Sequence, residues 1–189
     1  MKNKGTLYIL SGPSGVGKGT ICKQLVKKRD DLSVSVSATT RAPRQEDTDG
    51  VTYFFKTKDE FEKMIKDDKF LEWAVYNGNY YGTPVDAVNK KLDMGEDVIL
   101  EIEVQGALKV MEKRPDAVSI FIAPPDEETL FVRLKNRGSE TEEQIKNRLN
   151  AAKDELSKKG KYDFVVINDD LSVAVCEIEN IMKNQKEKM

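Results

Sequence analysis

Short apolar runs alternate along the chain with longer segments whose apolar residues recur every three or four positions, the pattern of repeated βα units. The runs Thr6–Leu10, Ser33–Ser37, Val98–Glu103, Val118–Ile122 and Phe164–Ile167 read as strands. None contains proline, and Ile, Val and Phe dominate most of them, as in a parallel sheet covered on both faces. A helix is expected from about Lys18, with Ile21, Leu25 and Val26 on one face. Thr83-Pro84 reads as an N-cap followed by proline at the first helical position; Val85, Val88 and Leu92 form that helix's stripe until Gly95 stops it. Further helices are expected from about Asp126 to Lys135 and from about Asp170, the latter using Leu171, Ala174, Val175, Ile178 and Met182 before a fraying KNQKEKM tail.

Two stretches break the alternation. Residues 39–82 begin with a Pro/Arg/Asp-rich loop and a short strand, Val51–Phe55. A helix capped by Thr57 and Glu60 follows, carrying Phe61, Met64 and Ile65, and then the aromatic segment FLEWAVYNGNYYG. This is the pattern of a compact insert with its own small core, to which Phe70 and Trp73 are assigned. Residues 136–160 are charged, with Thr141 and Gln144 capping a helix that carries Ile145, Leu149 and Ala152; they read as a mobile cover. The expected architecture is α/β: a five-stranded parallel sheet flanked by helices, with a small mixed α+β insert and a helical lid. Residues 1–38, 83–135 and 161–189 form the core, 39–82 the insert and 136–160 the lid.

The 189 residues suit one domain with small inserts. A net charge of -2 gives no whole-chain reason to expect a nucleic-acid or membrane partner, but it hides an asymmetry. Residues 1–45 hold nine Lys/Arg against two acids, so a basic region either faces an anion or is a solvated surface. Histidine is absent, which excludes His-based triads, imidazole general bases and His-containing metal clusters. Cys22 and Cys176 have no zinc-like spacing and fall in helix-like segments, as small buried thiols do. The amino terminus reads as a first strand rather than a signal peptide, and no apolar run reaches 18 residues, so a reduced, cytoplasmic setting is expected.

Chemistry enters with GPSGVGKGT, residues 12–20, where G-x-x-x-x-G-K follows a strand and opens a helix. The glycines permit a tight turn whose N–H groups point inward at phosphate oxygens, and Gly12, Pro13, Ser14, Gly15, Val16, Gly17, Lys18, Gly19 and Thr20 are read as the ATP-binding stretch. The helix terminus adds partial positive charge and Lys18 a full one. Gly19 stands where a Ser or Thr usually supplies a magnesium hydroxyl. Either Thr20 reaches the phosphates, or Mg²⁺ keeps more of its waters and is positioned by phosphates and acids such as Glu101 and Glu103.

A phosphate loop alone does not choose among a hydrolase, a motor and a small-molecule kinase. The segments SVSATTRAPR (35–44), GVTYFF (50–55), FLEWAVYNGNYYGTP (70–84), ILEIEVQGA (99–107), FIAPP (121–125), RLKNRGSETEEQIKNRL (133–149) and YDFVVINDDL (162–171), with the loop, resemble the guanylate kinases. They occur in the family's order over nearly the whole chain. The resemblance implies the nucleoside-monophosphate-kinase fold and transfer of the γ-phosphoryl of ATP, as Mg·ATP, to GMP and to dGMP. It implies that Arg41, Arg44, Tyr53 and Tyr81 hold the GMP phosphate, that Ser37, Glu72 and Thr83 read the guanine assisted by Glu101, that Arg137 and Arg148 close over ATP, and that Asn168 contacts the adenine or its ribose side. Arginine forks suit phosphate oxygens, and a carboxylate can accept guanine N1–H and N2–H₂ together. No obligatory protein partner is evident.

Other readings stay open at this point. Tyr53 and Tyr81 can be core rings with hydroxyls at the rim, Asn168 a turn or cap residue, Arg133 part of a solvated helix face, and Thr83 a helix cap. Asp47 stands one methylene short of a glutamate found in many members, so a weaker contact to the arginines is expected. A guanylate-kinase-like protein-binding module without turnover is the alternative from another class, and an AMP or UMP kinase the enzymatic one.

Overall fold

The computed structural model describes residues 4–135 and 142–187. Strand β1 (Leu7–Ser11) is fully buried along its length and leads into α1 (Lys18–Lys28). Strand β2 (Leu32–Val34) follows, and later β7 (Asp97–Glu101), β8 (Val118–Ala123) and β9 (Phe164–Ile167) complete a five-stranded sheet in the order β2-β7-β1-β8-β9, all parallel. One face packs Tyr8, Leu10, Ile99 and Ile122 against Ile21 and Leu25 of α1 and Ile178 of α7 (Leu171–Lys186). The other packs Ile9, Leu100 and Phe121 against Val88 and Leu92 of α3 (Val85–Asp93) and Val104 and Val110 of α4 (Val104–Lys113). Continuous apolar strands follow from this covering of both faces.

A second sheet of four strands, in the order β4-β3-β6-β5, forms the insert from β3 (Ala38–Thr39), β4 (Phe54–Phe55), β5 (Phe70–Tyr76) and β6 (Asn79–Pro84). It is mixed: β3 pairs parallel to β4 and antiparallel to β6. Helix α2 (Lys58–Lys66) covers it, opened by a capping box in which Thr57 and Glu60 satisfy each other's backbone N–H. Phe61 stacks between Phe70 and Tyr80 at centroid distances of 4.3 and 5.2 Å. Helices α5 (Glu127–Lys135) and α6 (Glu142–Leu156) share the apolar cluster Leu130, Leu134, Ile145 and Ala152.

Several expectations change. The aromatic segment 70–82 is a β-hairpin, turned by Asn77 (φ 48°) and Gly78 (φ 77°), the two left-handed residues a tight hairpin turn requires. Helix α4 was not foreseen, although Val104, Ala107 and Val110 form its stripe. The strand expected over Ser33–Ser37 ends at Val34, because the chain leaves the core sheet there and re-enters pairing as β3 of the insert. Thr83 is the penultimate residue of β6 and caps nothing; Pro84 is the N-cap of α3. Trp73 is 39% exposed rather than in the insert core, and Cys176 is exposed whereas Cys22 is buried.

The tail does not fray from Lys183. Helix α7 runs to Lys186, whose ammonium reaches Asp31 (2.7 Å) and the fully buried Asp97 (3.1 Å). Asp97 also accepts from Arg29 Nη2 (2.6 Å) and the Thr6 backbone N–H (2.8 Å), so it ties the first strand, α1 and the last helix together. Burial and the nearby Asp97 charge push the Tyr8 phenol up to about 12. Asp97→Ala leaves the buried Thr6 N–H without its acceptor and Arg29 and Lys186 with the half-exposed Asp31 alone. Urea unfolding is expected to show a loss of about 3 kcal/mol, the range for breaking a buried ion pair; a loss below about 1 kcal/mol contradicts this account.

Candidate functional site

The turn between β1 and α1 is left-handed at Gly12, Gly15 and Gly17 (φ 148°, 87° and 97°). Gly17 is the N-cap of α1, with no side chain on the first-turn N–H groups and no acid in that turn. Open donors and the helix dipole therefore face whatever the loop encloses. The Lys18 side chain is 9% exposed and folds back over the loop, its ammonium donating to the carbonyls of Gly12 (2.6 Å) and Pro13 (3.1 Å). Gly15 lies against Leu130 and Leu134, so the apolar face shared by α5 and α6 begins at the loop itself.

Asn168 sits beyond the end of β9, 6% exposed. Its backbone N–H donates to Ala123 and its Nδ2 to the Val16 carbonyl, both at 2.8 Å, so it braces the loop from beneath. Arg133 in turn donates to the Asn168 carbonyl at 2.8 Å, which gives this arginine a positioning contact rather than a merely solvated face. At the end of β7, Glu101 approaches the loop: a Cβ on Gly19 would lie 3.2 Å from Glu101 Oε1. The carboxylate occupies the neighbourhood where a serine or threonine hydroxyl would project. Desolvation lifts its pKa above the ordinary carboxylate range, the Lys18 charge opposes that, and Glu103 adds to it. Glu155 of α6 feels the same two charges, Glu103 and Lys18, with its carboxyl raised mainly by desolvation.

A second cluster forms in the insert. Arg41 Nη2 binds Asp47 Oδ2 at 2.7 Å, and the same oxygen accepts the Arg44 backbone N–H at 2.7 Å. The shorter acid at 47 therefore does reach its arginine. Asp47 is held below its ordinary pKa, first by the Arg44 N–H and then by Arg41. The Arg41 guanidinium lies 5.4 Å from the centroid of Tyr53, whose ring meets Tyr81 edge-on at 6.0 Å. Arg44 is exposed. Fork, rings and acid thus form one cluster at the edge of the insert.

A third cluster joins the hairpin to the core. The Thr83 hydroxyl, fully buried, donates to Glu72 Oε1 at 2.7 Å. Continuing the Ala38–Gly82 register by one residue sets Ser37 across from Thr83. Desolvation raises the Glu72 pKa, against the pull of Thr83 and of Lys109 on α4. Of the remaining residues singled out from the sequence, Arg148 lies on α6 three positions after Ile145, Thr20 lies in the first turn of α1, and Arg137 falls outside the described residues. Two residues the sequence did not single out enter the site: Glu155, and Gly106, which faces Glu72. An isolated glycine inside the Val104–Val110 helical stripe was the available signal.

Among the described residues no group of three or more acids or cysteines is arranged to hold a metal ion. A groove of about 500 Å³ between α2 and α3, lined by Phe54, Lys56, Met64 and Pro84, contains none of the candidate residues.

The Glu72–Thr83 bond yields a direct check. Burial outweighs the Thr83 hydroxyl, so the Glu72 carboxyl should titrate above an ordinary glutamate; the hydroxyl favours the ionised form, so its loss in Thr83→Val should move the value higher still. Carbon-detected NMR titration of the side-chain carboxyl measures both; a lower value in the variant contradicts the assigned geometry.

These three clusters can be set beside known proteins. A family model described as guanylate kinase matches residues 4–185. The chain is 54% identical over 181 residues to a guanylate kinase of Halalkalibacterium halodurans, covering 96% of this chain and 89% of that protein. It is 53% identical over 186 residues to a guanylate kinase of Caldanaerobacter subterraneus subsp. tengcongensis, covering 98% and 90%. The crystal structure of guanylate kinase from Anaplasma phagocytophilum superposes with a TM-score of 0.74 at 34% identity, covering 97% of this chain and 87% of that one. With the phosphate loop, the paired arginine and the buried carboxylate all in the one fold these relatives share, the chain belongs to the guanylate kinase family.

Proposed function

We propose that the chain transfers the γ-phosphoryl group of ATP to GMP, and to dGMP, giving ADP and GDP by in-line displacement. The observation that carries this reading is the pairing of two unlike sites on one frame. Lys18 and the open N–H groups of α1 suit a polyphosphate, while the Glu72–Thr83 pair in the insert suits the N1–H and N2–H₂ edge of guanine. Adenine presents no matching pair of donors there.

A GMP phosphate oxygen, already anionic, attacks the γ-phosphorus, and the bond to the ADP leaving oxygen breaks. No side-chain base is needed; positioning and charge neutralisation supply the acceleration. Arg41 and Arg44 fix the acceptor phosphate, with Asp47 holding the Arg41 fork and Tyr53 and Tyr81 bordering it. On ATP binding, Lys18 exchanges its carbonyl partners for phosphate oxygens. Arg148, with Arg137, is assigned to the transferring group, and Asn168 to the adenine side through the loop it braces. Thr20, Glu101 beside Gly19, and Glu103 are the residues that would hold, through water, a Mg²⁺ carried by ATP, and it would supply charge neutralisation at the phosphates.

The readers address the base and leave the ribose 2′ position out of account, so dGMP is a substrate in this reading. No described helix is long and apolar enough to cross a membrane, and the cytoplasm, where both nucleotides occur, is the proposed location.

ADP release measured across GMP, dGMP, AMP, UMP and CMP tests the base assignment. GMP and dGMP are expected to exceed the others in kcat/KM by at least about 100-fold, the discrimination available to a site built on paired hydrogen bonds. AMP or UMP turning over as well as GMP contradicts it. Lys18→Met should lower turnover by roughly 10- to 1000-fold with an unchanged far-UV spectrum. Survival of more than about a tenth of the activity would overturn the phosphate-loop assignment.

A further inference from the structure

Gly106 is the third residue of α4, with backbone angles any residue can adopt. Glycine is the poorest helix former after proline, so helix formation alone favours alanine there. The space around it explains the choice. A Cβ on Gly106 would stand 3.1 Å from Glu72 Oε2, 3.4 Å from its Cγ and 3.5 Å from its Cδ. The other oxygen, Oε1, is already held by the Thr83 hydroxyl at 2.7 Å. The carboxylate is lodged between a buried hydroxyl of β6 and the bare backbone of α4.

Neither wall can retreat easily. Val104, Ala107 and Val110, around Gly106 on α4, are fully buried in the core. On the other side Leu71, next to Glu72, is 3% exposed and belongs to the same cluster. Cores packed this way do not yield continuously. A methyl group at 106 is therefore accommodated by rotating the Glu72 side chain, which shifts the carboxylate by a few tenths of an ångström.

We propose that Gly106 is a specificity-determining positioning residue: its missing side chain sets the depth at which the Glu72 carboxylate sits, and so its alignment with the hydrogen-bonding edge of guanine. The inference rests on the reading of Glu72 as the guanine acceptor. Paired hydrogen bonds are directional, and a carboxylate displaced or turned by that amount presents one oxygen well and the other poorly. Helix α4 follows directly on β7, whose end lies against the phosphate loop, so the same core element fixes the approach of Glu101 to Gly19 and the seat of Glu72.

The test compares Gly106→Ala, Glu72→Ala and the double variant, using kcat/KM slopes that stay measurable when saturation is lost. Gly106→Ala should retain or raise Tm, keep kcat within about threefold and leave KM for ATP unchanged, while KM for GMP rises about 5- to 30-fold, the effect of impairing one hydrogen bond to a charged group. In the Glu72→Ala background the added methyl group meets no carboxylate, so the double variant should match Glu72→Ala within about twofold. A KM for GMP within twofold of wild type in Gly106→Ala, or an equal loss in both backgrounds, overturns the role of Gly106 and leaves the Glu72 assignment intact. An unchanged KM for GMP in Glu72→Ala overturns the guanine reading itself, and this inference with it.

Discussion

The Lys18 ammonium, folded back onto the carbonyls of Gly12 and Pro13, is the interaction on which the rest of the site depends. A charge 9% exposed is tolerable only because two backbone oxygens face it, and those oxygens face it only because the loop is left-handed at three glycines. The loop keeps that shape because both of its ends are fixed. Strand β1 is buried between β7 and β8, and Asn168 holds the Val16 carbonyl from the end of β9. The resulting turn holds its open N–H donors and its cation on one frame fixed at both ends.

Charge and space are matched by the same device on both sides of the site. Gly19 leaves room for the Glu101 carboxylate beside the phosphate loop, and Gly106 leaves room for Glu72 beside the hairpin. Each carboxylate is partly desolvated, and each has a cation or a hydroxyl that favours its ionised form: Lys18 for Glu101, Thr83 and Lys109 for Glu72. Asp47 plays the reciprocal part for Arg41, holding a fork that also rests on the Ala42 carbonyl and the Tyr53 and Phe55 rings. Two anionic nucleotides can be brought together only where positive groups are held in place and acids are kept from competing for them.

The glycine turn between β1 and α1 was readable from nine residues because its geometry is local: glycine spacing, a following helix and a lysine. The capping box at Thr57 and Glu60 and the parallel sheet were readable for the same reason, since caps and apolar periodicity act over a few residues. Helix α4 escaped because its apolar stripe follows directly on the end of β7 and includes a glycine. The hairpin escaped because Trp73 to Tyr76 at the end of β5 are all exposed, so the segment lacks the alternation of buried and exposed positions that marks a half-buried strand. Thr83 looked like a cap because the Thr-Pro pair suits a helix start; its hydroxyl instead answers a carboxylate eleven residues earlier across the hairpin.

The sequence by itself determined the α/β alternation, the glycine turn with its lysine before α1, the capping box of α2 and the absence of any imidazole. Those are properties of residue type and short-range spacing. Only the tertiary structure decided which groups meet: Glu72 with Thr83 and Gly106, Glu101 with Gly19, Arg41 with Asp47 and Tyr53, and Lys186 with the buried Asp97. Such pairings arise from how two sheets and their helices pack, where partners far apart in sequence are fixed by the shape of the core.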